Sequence, residues 1–345
     1  MRVRPQRRLA IVAGAVAVAA LVAACSSSKN DNGSNNTGGA SGGSGSKTES
    51  VQVMMFPGQA YRLPVLIADK QGFFAKHGIK ISIVAQPNNL QGAQAMTATK
   101  SDVGQLSTPT LAQGVENHAP VAFFCGGINY LQTSLIAKNG SSFTPGTGND
   151  VIKQLSGKKV GVQTPVGSGL QLLFAAALKD AGVKNVTYVN VGGGNNITLA
   201  ALDKGSVDVA QVNPPGLQAI TVAKSAKVLT YLPASGGPDA YQLYGSAWTG
   251  QTSWLKAHPD TAKGFCSAIG EALDYIKSNT DAAATVLADD TKSPPAIAQE
   301  VVKTVYADFS TDLPKDTLQK TFDFYKQIGI TKTDLDYNTL VQPAS

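Results

Sequence analysis

Histidine, cysteine, tryptophan and arginine are all scarce in this 345-residue chain, which holds three His, three Cys and two Trp. His77, His118 and His258 stand apart in polar turn contexts, with no His-Glu-x-x-His string, no Cys-x-x-Cys pair and no ligand-spaced cluster. Surface histidines are the simple reading, and a metal centre is not expected. The longest apolar run, Leu9 to Ala24, is 16 residues, short of the ~20 that a spanning helix needs. Excess positive charge is lacking too once the ends are separated. Four of the 29 basic residues and no acidic ones lie in the first 24 positions, leaving 25 basic against 23 acidic. No concentrated basic face is visible, and a nucleic-acid partner is excluded on that ground.

Enzyme loops are thinly represented as well. Gly167-Ser168-Gly169 follows a strand but lacks the third glycine and the downstream acid of a dinucleotide loop. The Gly-x-Ser-x-Gly string, Gly39 to Gly43, lies in a Ser/Gly/Asn-rich stretch where no strand-to-helix turn can form a nucleophile elbow. No cofactor is expected.

What is present begins with a targeting segment. Arg2, Arg4, Arg7 and Arg8 form a positive n-region ahead of the apolar run, the layout of a cleaved export signal over residues 1–24. Residues 25–50 are almost all Ser, Gly, Asn and Thr. Such a stretch cannot bury enough apolar surface to order itself, and as a flexible coil it spans roughly 25–30 Å.

From Val51 onward the composition is globular, and the chain repeats itself. Asn195 to Pro215 reads as a helix stopped by Gly205, a short β-branched run from Val207 to Val212, and Pro214-Pro215 as the stop. Asn88-Asn89 and then Lys100 to Pro109 form an earlier copy, about 107 residues before. The same offset aligns Val53 with Val160 and Ile79 to Val84 with Val186 to Val191. A period near 107 is too long for a solenoid and suits a duplicated domain. Strands alternate with helices throughout, which implies an α/β fold of two similar lobes, each a mostly parallel sheet flanked by helices. Beyond Trp248 the chain reads as helical, over Thr261 to Lys277, Asp281 to Leu287, Pro295 to Tyr306 and Lys315 to Gln327. These helices have no strands of their own and are expected to pack on the first lobe's sheet.

Two resemblances follow from quoted residues. Val22-Ala23-Ala24-Cys25 resembles the lipobox of bacterial lipoproteins, which implies that Cys25 becomes the acylated N-terminus at the outer face of the cell membrane. An ordinary secretory signal stays open, as does twin-arginine export from Arg7-Arg8. Pro64 to Lys80, with its Gly72-Phe73-Phe74 turn, resembles solute-binding proteins of the nitrate/sulfonate/taurine and thiamine-pyrimidine-precursor group. Leu155 to Val162 followed by Gly167-Ser168, and Leu202 to Val209, are similar to that group's second-lobe opening and its helix-to-strand step.

The resemblance implies a type II periplasmic-binding-protein fold joined by two crossing segments, near Leu131 to Ser134 and Asp239 to Gln242. Lobe I would comprise 51–131 and 241–345, and lobe II 132–240. The implied function is capture of a small polar or anionic organic molecule of the sulfonate, nitrate or pyrimidine-precursor class. A monomer would hand it to the permease and ATPase of an ABC importer and do no chemistry itself.

In α/β sheets ligands sit beyond the carboxyl ends of strands, which selects candidates. Gln59 and Tyr61 open a helix whose free amides suit an oxyanion; Thr164 and Ser168 are their counterparts, with simple capping the alternative for Ser168. Thr108 and Asn213 sit where strands end. Asn89 and Asn195 either grip a polar ligand or, with Asn88 and Asn196, merely cap helices. Tyr241, Tyr244 and Trp248 could form an aromatic wall, with core packing expected for at least two. Arg62 is the sole arginine beyond the signal segment. Because planar anions are commonly held by bidentate arginine, an anion here depends on Arg62, backbone amides and hydroxyls, or else the ligand is not an anion; for Arg62 itself a solvated surface charge is the alternative.

Cys125 and Cys266 fall in the lobe built from both chain ends, and in an oxidising compartment a disulfide is expected, two buried thiols being the alternative. Two other functions stay open. An exported sensor or adhesion lipoprotein needs no transporter. A pyrimidine-synthesising enzyme branch shares the fold, but its cysteine-rich, histidine-bearing site has no counterpart in this sequence.

Overall fold

The computed structural model describes residues 48–86, 92–99, 101–192 and 194–343. Cys25 and the Asn88-Asn89 pair lie outside them. The first segment runs β1 (Glu49–Met55), α1 (Leu63–Lys70), α2 (Phe73–Lys76), β2 (Ile79–Ala85), α3 (Gly92–Thr99), β3 (Val103–Ser107), α4 (Thr108–Glu116) and β4 (Val121–Ile128). The second runs β5 (Ser134–Ala137), α5 (Gly148–Lys153), β6 (Lys159–Val162), α6 (Gly169–Asp180), β7 (Thr187–Asn190), α7 (Asn195–Asp203), β8 (Val209–Val212), α8 (Gly216–Ala223) and β9 (Lys227–Tyr231). The third is β10 (Ser246–Gln251) and then helices only: α9 (Thr252–Ala257), α10 (Pro259–Ser278), α11 (Thr280–Thr291), α12 (Pro295–Val305), α13 (Lys315–Gln327) and α14 (Tyr337–Leu340).

These elements build two lobes on two five-stranded sheets, ordered β2-β1-β3-β10-β4 and β7-β6-β8-β5-β9. In each sheet four strands run one way and a fifth opposes its two neighbours: β10 in one, β5 in the other. The repeat is visible in the register. Val53 pairs with Val103 in the first sheet, as Val160 pairs with Val209 in the second. Central strands are covered on both faces; every residue of β8, from Val209 to Val212, is buried.

The chain passes from sheet to sheet twice, between Ile128 and Ser134 and between Tyr231 and Ser246. The opposing strand of each sheet is the one that has just made the passage. Gly245 lies where the two passages touch, its N–H donating to the Ile128 and Asn129 carbonyls (both 3.1 Å).

The late helices return to the first lobe, as their lack of strands requires. Phe265, Ala268, Ile269, Ala272 and Ile276 give α10 one buried stripe at three- and four-residue spacing, and this face covers α1, α2 and β4. Gly72 takes the left-handed conformation (φ 74°), which a side chain would resist. The turn it permits sends Phe74 into the core, 5.1 Å from the Phe265 ring. Cys125 of β4 and Cys266 of α10 are bonded, with their Cα atoms 5.6 Å apart.

Local details differ from the sequence reading. α7 is capped by Gly194, so Asn196 lies inside the helix instead of before it. β1 starts at Glu49, two residues earlier than composition suggests, because Glu49 and Ser50 pair with Ile79 and Lys80. His77 and His258 are half-buried and partnered, by Glu271 (2.8 Å) and Glu49 respectively, not free surface groups.

Lys76, and after it His77, hold the Glu271 carboxyl below its ordinary range. A depressed carboxylate contributes stability above its unfolded pKa, and the contribution is lost as pH falls through the folded value. Because Glu271 and Lys76 are 29% and 65% exposed, the effect is small, below about 1 kcal/mol. Glu271→Gln should lower urea-unfolding stability at pH 7 by that amount, and the loss should shrink as pH falls into the acid range; an equal loss at every pH would refute the electrostatic origin.

Candidate functional site

Between the lobes lies a cleft of about 610 Å³. The ends of four equivalent strands open into it. β1 delivers Phe56 to Tyr61, β3 delivers Ser107, β6 delivers Gln163 to Pro165, and β8 delivers Asn213 to Pro215. Both passages contribute as well, the first through Ile128 and Tyr130 to Thr133, the second through Tyr241 and Ser246. A bound molecule would therefore touch both lobes and both connections at once.

Chemically the lining is uncharged. Among the described residues it contains no Asp, Glu, Lys, Arg or His, but five glutamines: Gln59, Gln105, Gln132, Gln163 and Gln211. Four aromatic rings, Phe56, Tyr61, Tyr130 and Tyr241, supply apolar faces. Burial pushes the Tyr61 and Tyr241 phenols well above their ordinary range, so both stay neutral at any physiological pH. Among the described residues no group of three His, Cys, Asp or Glu could hold a metal.

A match to the NMT1/THI5-like family model runs over residues 59–283. The chain belongs to this family. The 4-amino-5-hydroxymethyl-2-methylpyrimidine phosphate synthase of Schizosaccharomyces pombe is 24% identical over 299 residues, 81% of each chain. Two solved structures are similar in fold. The periplasmic aliphatic sulphonate binding protein SsuA of Escherichia coli has a TM-score of 0.68 at 17% identity, covering 85% of this chain and 92% of its own. The periplasmic nitrate-binding protein NrtA of Synechocystis PCC 6803 has 0.67 at 14%, covering 86% of each.

Within this family member the predicted site residues divide. Gln59, Tyr61, Thr164, Asn213 and Tyr241 line the cleft. With its amide nitrogen turned toward the carbonyls, Asn213 donates to Gln132 O (3.1 Å) and Thr133 Oγ1 (3.2 Å), tying the end of β8 to the first passage. Thr108 is fully buried and outside the lining; its hydroxyl meets Tyr244 O (2.5 Å) and Tyr325 OH (2.6 Å), clamping the second passage to α13. Ser168 caps α6 through Gln171 N (3.3 Å) and donates to Thr164 Oγ1 (3.0 Å). Tyr244 and Trp248 are core residues, Tyr244 with its phenol pushed up to about 12 by burial, and Trp248 packed 5.2 Å from Phe265. Asn195 opens α7, but its side chain, like all of Asn89, lies outside the described residues.

Arg62 is neither in the lining nor a free solvated charge. Its guanidinium pairs with Asp290 of α11 at 2.8 Å, the side chains 13% and 16% exposed. Breaking one member of so enclosed a pair strands the other. Arg62→Met is expected to cost about 2 kcal/mol in urea unfolding, discounted from the fully buried case for residual solvent, and to leave ligand affinity within twofold. A tenfold loss of affinity with unchanged stability would put Arg62 back in the site.

The sequence reading missed Gln105 and Gln211. They occupy matching places in β3 and β8, where the repeat writes Val103-Gly104-Gln105-Leu106 and Val209-Ala210-Gln211-Val212. That correspondence was available in the sequence; the direction of the side chains was not.

Proposed function

We propose that the protein is an exported, lipid-anchored solute-binding protein. It captures a small polar molecule between its lobes and delivers it to an ABC importer. The observation that carries this reading is the cleft itself, which draws on equivalent strand ends of both sheets and on both passages. Closing such a cleft around a solute gains contacts that an open one lacks, and a ligand shifts the equilibrium only by that difference.

Three further observations support it. SsuA and NrtA, named for sulphonate and nitrate binding, share the fold. A disulfide suits an oxidising compartment outside the cytoplasm. The lipobox ending at Cys25 and the polar stretch after it suit a tethered receptor.

The pyrimidine phosphate synthases of fungi support a second reading, that of an enzyme. The described lining argues against it, because it offers no carboxylate, imidazole, thiol or amine to move a proton or attack a substrate.

The test is a thermal-shift panel of taurine, alkyl- and arylsulfonates, nitrate, bicarbonate and pyrimidine precursors, with mass spectrometry of the recovered ligand. A binding protein saturates one-to-one and returns its ligand unchanged. A ligand at 100 times its dissociation constant stabilises by about 2.7 kcal/mol. Turnover of a panel member would favour the enzyme, and no shift at all would remove the support for solute binding.

A further inference from the structure

Three features of the cleft bear on the charge of its ligand, and the inference rests on the solute-binding reading above. First, no ionised side chain lines it among the described residues. An anion taken from water needs compensation that such a lining does not supply.

Second, several of the backbone amides that could replace a cation are already engaged. At the start of α6, Gly167 N donates to Gln171 Oε1 (2.9 Å), Gly169 N to Gln113 Oε1 (2.8 Å) and Gln171 N to the Ser168 hydroxyl. At the start of α8, Gly216 N donates to Asn213 O (2.7 Å); at the start of α4, Thr108 N donates to Gly245 O (2.9 Å). Beside Gln59, the Arg62 amide closes its own turn on Gln59 O (3.2 Å). Free helix-terminal N–H groups make anion sites, and these particular amides are not free to form one.

Third, the lining contains an acceptor without a donor. Gln105 is 7% exposed, its Nε2 reaches Ser246 Oγ at 3.3 Å, and its Oε1 receives no hydrogen bond. A buried carbonyl oxygen left unpaired is costly; among the described residues none donates to it, which leaves this position open to a donor from the bound molecule. Nitrate and simple, unsubstituted sulfonates and carboxylates carry no N–H or O–H at neutral pH and cannot supply one.

We infer that the ligand is uncharged and presents an N–H or O–H donor to Gln105, as a carboxamide, a urea or an amino-substituted heterocycle does. Gln211 stands at the matching position of the other lobe, its Nε2 3.4 Å from the Tyr241 hydroxyl. The two lobes thus meet the ligand with a pair of equivalent amides, which offer both donors and acceptors.

The experiment titrates the full-length chain in detergent with matched pairs at millimolar concentration: urea against nitrate, benzamide against benzoate, methanesulfonamide against methanesulfonate. The neutral member of at least one pair should bind tenfold tighter or better than its anion. N,N-dimethylbenzamide, which keeps the carbonyl and loses the donor, should bind tenfold more weakly than benzamide. Gln105→Met, close in shape but without the acceptor, should lose the same factor. If Gln105→Met does not fold, the dimethylated probe decides on the unaltered chain. Tighter binding of the anions, or equal binding of benzamide and its dimethyl derivative, overturns the inference and leaves the solute-binding reading standing. Silence from every probe counts against both.

Discussion

Replacing Cys125 and Cys266 together by alanine is expected to lower the unfolding free energy by about 5 kcal/mol and the melting temperature by about 10–20 °C. The two cysteines are 141 residues apart, and the chain between them holds all of the second sheet and β10. Cross-linking so long a loop removes much of the freedom of the unfolded chain, and loop-closure entropy at this length gives the quoted value. In the native state the bond staples β4, the outer strand of its sheet, to the long helix α10 that covers it. Ligand affinity should be unchanged, because neither cysteine lines the cleft. Urea unfolding of the oxidised chain and the double variant measures the difference. A loss below about 1 kcal/mol would mean that the unfolded chain gains little freedom on release, against the loop-entropy account.

How much of this was legible beforehand depends on the range of the signal. The duplication was written in the sequence as a 107-residue offset, and with it came two lobes, the alternation of strands and helices within each repeat and the strand ends that open into the cleft. Ser168 also proved local, since a cap is decided by neighbours two and three residues away. Thr108 was read as a strand-end ligand contact because its partners, Tyr244 and Tyr325, lie 136 and 217 residues along the chain. Arg62 was ambiguous for the same reason, its carboxylate being 228 residues distant. Gln105 was hidden differently. In β3 both faces of the strand are buried, so alternation between polar and apolar positions, the usual guide to which side chains face a site, is absent.

A one-methyl change at Gly245 should do what loss of the disulfide does not, and weaken both the fold and the site. Gly245 needs no unusual backbone angle; it needs space. A Cβ there would lie 2.4 Å from the Tyr130 carbonyl carbon, 2.6 Å from its oxygen and 2.8 Å from Leu131 N. These are backbone atoms, so no side-chain rotation relieves the clash, and overpacking of this kind costs about 3 kcal/mol. Relief must come by separating the two passages, which breaks the Gly245 bonds to Ile128 and Asn129 and frees the carbonyl that accepts from the Thr108 amide. Tyr130 and Leu131 both line the cleft, so the wall moves with them. Gly245→Ala is therefore expected to melt about 6–12 °C lower and to bind its best panel ligand at least tenfold more weakly. The double cysteine variant, at comparable or greater destabilisation, serves as the control for stability alone. Equal affinity in the two variants would mean that the contact between the passages supports the fold without shaping the cleft.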